Sequence, residues 1–308
     1  MRSKQIKSSL KSRISCADII ARLWDLNLET VIEKDITRLM EMYGRAGAII
    51  TKYHPGSPSN PANVFVRASI YDPRKEQIVS TDRLKYPRLE YNTHYQRAST
   101  PSNPMFYATR HQSLSSEHSI SALRTCLLET IDDYDELVKD KKRVAISLRY
   151  NLYDINLYSI FNWDEFQSKN PEIKEVNNGF IEFIANEKPE LKDNTRLILD
   201  YLADRFKIPV GEKEHEYLPS AVISQYLLPK LIPYGIDGIV FPSTKVLGKE
   251  VNVALIPENS DKKLVVTKVL DCEFLPNRIV QVQKRADIQF GKKEVKYNEN
   301  VQIDIDLK

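Results

Sequence analysis

Tyr234-Gly-Ile-Asp-Gly-Ile-Val-Phe-Pro-Ser243, followed shortly by Val251-Asn-Val-Ala-Leu-Ile256, is the stretch on which the fold turns. Tyr234 to Gly238 reads as a turn, since two glycines and an aspartate bracket one apolar residue. Ile239-Val-Phe241 is short and apolar enough to be a buried strand, and Val251 to Ile256 is a second one stopped by Pro257. Just upstream, Tyr217-Leu-Pro-Ser220 opens a helix with Pro219 near its first turn, continued by Ala221, Ile223, Leu227 and Leu228. Pro229 or Pro233 should end or kink that helix. Ser243 then sits at a strand end, where a hydroxyl either caps the turn or touches a ligand.

A second informative stretch is Tyr95-Gln-Arg-Ala-Ser-Thr-Pro-Ser-Asn-Pro-Met-Phe-Tyr107. It sets Arg97 at the mouth of a Ser/Thr/Pro/Asn turn that leads into a buried strand from Met105 to Ala108. A guanidinium at a strand edge with an aromatic ring on the next strand can hold a phosphate and stack a planar base. Further upstream, Val64-Phe-Val-Arg-Ala-Ser-Ile-Tyr71 alternates as a strand. Its Phe65, Arg67, Ser69 and Tyr71 share one face, which is either the solvent side of an edge strand or the floor of a cleft. Downstream, Ser115 or Ser116 can cap a helix running to about Tyr134, with Ile120, Leu123, Leu127 and Ile131 on one stripe. Glu129 falls opposite, beside Ala122, Thr125 and Cys126. A carboxylate among small residues suits a helix face that looks into a cavity, and equally a solvated outer face.

The rest of the chain carries less chemistry. Residues 14 to 45 have helical spacing and a break near Asp35, which predicts a helical hairpin. The turn-rich run from His54 to Pro61 is the best domain boundary, giving a helical N-terminal segment (1–60) and a main domain (61–308). Residues 135 to 215 read as an inserted region with a strand at Val144–Tyr150 and charged helices broken at Pro171, Gly179 and Pro189. Leu264–Leu270, Ile279–Val282 and Val301–Leu307 alternate like edge strands. The net charge of +3 gives no case for nucleic acid, and nine glycines leave no Gly-rich phosphate loop. Three widely spaced cysteines suit a reducing, cytoplasmic setting. No metal-ligand spacing is visible, and no apolar run is long enough to span a membrane. The basic N-terminus lacks the apolar core of a secretory signal.

These pieces together resemble the RES domain family, named for an arginine, a glutamate and a serine. Phe65-Val-Arg67-Ala-Ser, Tyr86-Pro87, Gln96-Arg97-Ala-Ser with Phe106-Tyr107, and Leu127-Leu-Glu129 resemble its first half. Tyr217-Leu-Pro-Ser-Ala-Val-Ile-Ser-Gln225, Gly235 to Ser243 and Val251-Asn-Val-Ala-Leu resemble its C-terminal block. The resemblance spans roughly residues 60 to 257. It departs from the family pattern at Gln96, where many members have glycine. The glutamate also lies further from the tyrosine than usual, which makes Glu117 a rival to Glu129.

The resemblance implies a compact α+β fold related to ADP-ribosyltransferase toxins, with a cleft that binds NAD as substrate and needs no metal. It implies a toxin, with an Xre-type DNA-binding antitoxin whose tail plugs the cleft. Cleaving the nicotinamide–ribose bond develops oxocarbenium-like charge that a carboxylate stabilises. Glu129 would supply it. Arg67 and Arg97 would clamp the pyrophosphate and adjoining ribose. Tyr107 would stack on or wall in the nicotinamide, Ser243 would hydrogen-bond ribose or amide, and Tyr71 and Asn252 are the outer candidates. Three classes follow: an enzyme that hydrolyses or phosphorolyses NAD, one that transfers ADP-ribose to a protein, and a non-enzymatic module on the same fold. The helical N-terminal segment holds no arginine–glutamate–serine element. It is expected to cover the core or to contact a partner, either an antitoxin or a second copy of the chain.

Overall fold

The computed structural model describes residues 14–56, 63–111, 116–161, 170–208 and 214–308. The basic lead-in, most of the loop before Pro61, Ser115 and the side chain of Glu117 lie outside the described residues. Among those residues the chain forms eight α-helices and one mixed, open sheet of ten strands.

The helical hairpin is present as α1 (Cys16–Trp24) and α2 (Glu33–Met42). Ser15 caps α1 by accepting from the Asp18 N–H, and the Asp18 carboxylate accepts from the Ser15 N–H in return. Ile19, Leu23, Ile36 and Met40 point inward and are almost fully buried. They share one core with Phe65, Phe106 and Val253 of the sheet. The N-terminal segment therefore contributes to the main hydrophobic core. The chain has also entered the sheet before residue 60, as β1 (Ile50–Tyr53).

The strands are β2 (Val64–Tyr71), β3 (Phe106–His111), β4 (Arg143–Asn151), β5 (Ile155–Ser159), β6 (Gly238–Pro242), β7 (Val251–Leu255), β8 (Leu264–Leu275), β9 (Ile279–Asp287) and β10 (Glu299–Asp306). Their order is β1-β5-β6-β7-β3-β2-β4-β8-β9-β10, with only β5 and β6 parallel. The region expected as an insertion thus supplies β4, the neighbour of β2, and β5, the neighbour of β6. Of the C-terminal strands only β10 is an edge. β2 is interior, and Phe65, on the face it shares with Arg67, is fully buried in the larger core.

The remaining helices are α3 (Ser116–Thr130), α4 (Tyr134–Lys139), α5 (Pro171–Asn186), α6 (Pro189–Lys207), α7 (Leu218–Leu231) and α8 (Pro257–Lys263). Helix α5 runs through Gly179, where a break was expected, and α7 runs through Pro229 to Leu231. None of the described helices is long and apolar enough to cross a membrane. On one side of the sheet α1, α2, α6 and α7 close the larger core. On the other, Leu123 and Leu127 of α3 pack with Val64, Val66 and Ile146. Around β6 backbone geometry requires glycine at positions 235 and 238. Gly235 has φ +79°, and a Cβ on Gly238 would stand 2.1 Å from the Ala254 carbonyl oxygen.

One irregularity positions the site. Strands β2 and β3 pair only over Val64–Val66, opposite Thr109–His111. Beyond that point β2 stays with β4, while β3 stays with β7. The sheet therefore splits between Arg67 and Tyr107, and α3 packs against both strands at the split.

Candidate active site

The cleft at this split has a volume of about 520 Å³ and is walled by Arg67, Arg97, Tyr107, Glu129, Tyr217 and Asn252, among others. That is the size of a small-molecule site. Its floor comes from β2, β3 and β7, one wall from the C-terminal end of α3, and the other from the 94–97 turn.

Glu129 is delivered by helical spacing. Ala122, Thr125 and Cys126 lie one and two turns before it on the same face, and all three are buried against the sheet. Cys126 donates its S–H to the Val66 carbonyl at 3.3 Å, so small side chains let α3 approach closely. Ile120, expected on the buried stripe, is instead 45% exposed. Burial pushes the Cys126 thiol up to about 12, so it is not a thiolate at neutral pH.

The Glu129 carboxylate is held on one oxygen. The Ser243 hydroxyl donates to Oε1 at 2.6 Å, and the Asn252 amide donates to the same oxygen at 2.8 Å. Thr109 Oγ1 donates to Asn252 Oδ1 at 3.0 Å, which turns the amide so that its N–H₂ faces Glu129. Oε2 accepts no hydrogen bond from the described residues; Arg97 Nη1 stands 3.9 Å away. One oxygen is thus fixed by the protein, while the other is left toward the cleft beside a cation. Ser243 is fully buried at the end of β6, with its N–H donating to the Glu250 carbonyl at 2.9 Å.

Both arginines are partly committed to the fold. Arg97 donates from Nε to the Phe206 carbonyl and from Nη2 to the Ile208 carbonyl, at 2.9 and 3.0 Å. This leaves Nη1 facing the cleft. Arg67 fills the gap where the β2–β3 ladder stops: Nη1 donates to the Tyr107 carbonyl at 2.9 Å and Nε to the Lys85 carbonyl at 2.8 Å. Its guanidinium also lies 5.4 Å from the Phe106 ring centre. Burial lowers Arg67 to about 10, so it stays charged at neutral pH.

Tyr107 contributes its ring to the cleft, while its hydroxyl accepts from the Ala98 N–H at 2.8 Å and from Ser99 Oγ at 3.1 Å. Those bonds fix the turn that carries Arg97. Burial raises the phenol to about 12.

Tyr71 is not brought to the site. It lies on the same face of β2 as Arg67, but four residues along a strand is roughly 13 Å. Its hydroxyl donates to Asp271 Oδ1 at 2.7 Å, in a separate cluster with Ile78 and Val269. Arg149 was not singled out from the sequence, yet it is 3% exposed and donates to the Leu84 carbonyl at 2.6 Å. With Arg67 on Lys85 it pins consecutive carbonyls behind the cleft wall. Burial and the nearby Arg67 charge lower it to about 9. Its signal was an arginine inside the mainly apolar run Val144–Tyr150, a residue type that strands bury only for a purpose. Among the described residues no cluster of three His, Cys, Asp or Glu side chains could hold a metal ion.

No family model matches the chain, and no curated protein matches it. The case for a function therefore rests on the cleft itself.

Proposed function

We propose that the cleft binds NAD and cleaves its nicotinamide–ribose bond, as the resemblance to RES-domain toxins implies. The observation that carries this reading is the convergence of Arg97, Ser243 and Asn252 on the Glu129 carboxylate at the cleft wall. An oxocarbenium-like ribose needs a fixed negative charge beside it and no bulk water. Glu129 would provide that charge through Oε2, with Ser243 and Asn252 holding the other oxygen still. Preorganised donors of this kind cost no reorganisation during the reaction. The inward edges of Arg67 and Arg97 suit the diphosphate, and the Tyr107 ring suits an aromatic base.

In hydrolysis the C1′–N bond breaks with its electron pair leaving on nicotinamide. A water oxygen bonds to C1′ and loses a proton, giving ADP-ribose. With phosphate as nucleophile a phosphate oxygen bonds to that same anomeric carbon instead, giving ADP-ribose 1-phosphate on the ribose that held nicotinamide. Such an activity requires restraint, and a partner tail occupying the same cleft is the form the resemblance suggests. The test is to incubate the purified chain with NAD, with and without phosphate, and to follow free nicotinamide and the ribosyl product. Nicotinamide release with ADP-ribose or its phosphate supports the reading. Release accompanied by stable label on protein points to ADP-ribosyl transfer. No NAD loss in a folded sample removes the enzymatic reading.

A further inference from the structure

The two donors to the Glu129 carboxylate are each held in place by a further group. Ser243 is fixed through its backbone, whose N–H donates to the Glu250 carbonyl. Asn252 is fixed through the far end of its own amide, where Oδ1 accepts from Thr109 Oγ1 at 3.0 Å. Thr109 stands directly opposite Asn252 in the β3–β7 ladder and opposite Val66 in the β2–β3 ladder. It is 1% exposed, so a ligand in the cleft cannot touch it. Anything it does for the site passes through Asn252.

The hydroxyl is what sets this residue apart from its surroundings. Ala108 and Phe106 of the same strand are buried and apolar, as are Val251 and Val253 on either side of Asn252. Valine would fill the place of Thr109 with almost the same shape. A carboxamide, however, has two ends of similar size, one a donor and one an acceptor. With a hydroxyl proton on Oδ1, the N–H₂ end is the one that faces Glu129. Without it, Oδ1 is a buried acceptor that no other described residue serves, and the amide is free to turn. In the turned orientation two oxygens meet and the hydrogen bond to Glu129 is lost. The strands decide where Asn252 stands; they do not decide which end of its amide points forward.

We propose that Thr109 is a positioning residue for NAD cleavage, acting through Asn252 to keep the second donor on Glu129 Oε1 while Oε2 is held toward the cleft. This rests on the NAD reading above and extends it to a side chain that no substrate atom reaches. Its contribution belongs to the transition state, where the fixed charge is used, and not to diphosphate binding, which falls to the arginines.

Thr109→Val and Thr109→Ser, alone and combined with Asn252→Ala, are compared by NAD turnover, by calorimetry with ADP-ribose and by thermal melts. Thr109→Val should lower kcat about tenfold, with KM and ADP-ribose affinity within about twofold of native. Thr109→Ser keeps the donor and should keep kcat within about twofold. In the Asn252→Ala background the valine substitution should change the remaining kcat by less than about twofold, because the hydroxyl has no amide to orient. A general loosening of the strand would instead slow both backgrounds alike. If Thr109→Val does not fold, Thr109→Ala takes its place in the same cycle. Full kcat in the folded variant, equal losses in the two backgrounds, or a serine variant as slow as the valine one overturns the Thr109 assignment and leaves the NAD reading intact. Native protein that consumes no NAD removes the NAD reading and this assignment with it.

Discussion

Glu129 on α3 and Asp271 on β8 are both largely buried carboxylates with an arginine nearby and a hydroxyl bonded to them. Glu129 has Ser243 and Asn252 on one oxygen and Arg97 at 3.9 Å from the other. Asp271 has the Tyr71 hydroxyl on one oxygen and Arg143 at 3.1 Å from the other. The difference lies in what surrounds them. Strands β4, β8 and β9 pair without a gap wide enough to enter, so the Asp271 cluster is enclosed by Val269, Ala286 and Tyr297. At Glu129 the sheet has split and a cleft of about 520 Å³ lies beside the carboxylate. Partners alone do not make a carboxylate a site; an opening on its remaining oxygen does.

This comparison can be broken most sharply at the two carboxylates. Glu129→Gln should reduce NAD turnover by about 10²–10³-fold with the fold retained, since it removes charge made useful only in the transition state. Asp271→Asn should leave turnover within about twofold, because it is remote from the cleft. If both variants lose turnover alike, the distinction fails. The choice between Glu129 and Glu117 is decided in the same assay, where Glu117→Gln should retain activity.

Next in size are the arginines. Lysine at Arg97 should weaken NAD binding about tenfold or more, because an ammonium cannot both reach the Phe206 and Ile208 carbonyls and present a donor to the cleft. Lysine at Arg67 should do the same and also loosen the Lys85 segment, visible as faster amide exchange there. Calorimetry with unchanged affinity in both variants would place them outside the site.

A smaller effect belongs to pH. Burial raises the Asp271 carboxyl above its ordinary value. A folded-state pKa above the unfolded value means the folded chain binds that proton more tightly. The stabilising contribution is present below the unfolded carboxylate range and is lost as pH rises through the folded value. The stability difference between native protein and Asp271→Asn should therefore move in favour of the variant as pH rises from acid toward neutral. Denaturant titrations across that range would show it, and a difference that moves the other way would contradict it. Smallest is Tyr71→Phe: a stability loss of about 1 kcal/mol from one buried hydrogen bond, with NAD turnover unchanged.

The parts of this structure legible in the sequence were those set by local periodicity. The α1–α2 hairpin follows from apolar spacing, and the orientation of Glu129 follows from the small residues one and two turns before it. Ser243 stood out by its place at a strand end and Asn252 by a resemblance, and their shared hydrogen bonding to Glu129 could not be read from strands that only meet in the sheet. Tyr71 was misplaced because strand alternation reports the face of a residue and not its distance along the strand. The 135–215 region was read as an insertion because pairing of β4 with β2 and β5 with β6 is non-local and leaves no local sign. Arg149 was missed for a related reason: its acceptor, the Leu84 carbonyl, is a backbone group that the residue type at 84 does not advertise.

The central claim is that NAD occupies the cleft beside Glu129. It is tested most directly by calorimetric titration of NAD into Glu129→Gln, in which turnover does not consume the ligand. The account predicts saturable binding of one NAD per chain, lost or weakened at least tenfold when Arg97→Lys is added. Folded Glu129→Gln protein that takes up no NAD, or that binds it equally well with Arg97→Lys present, would contradict the account.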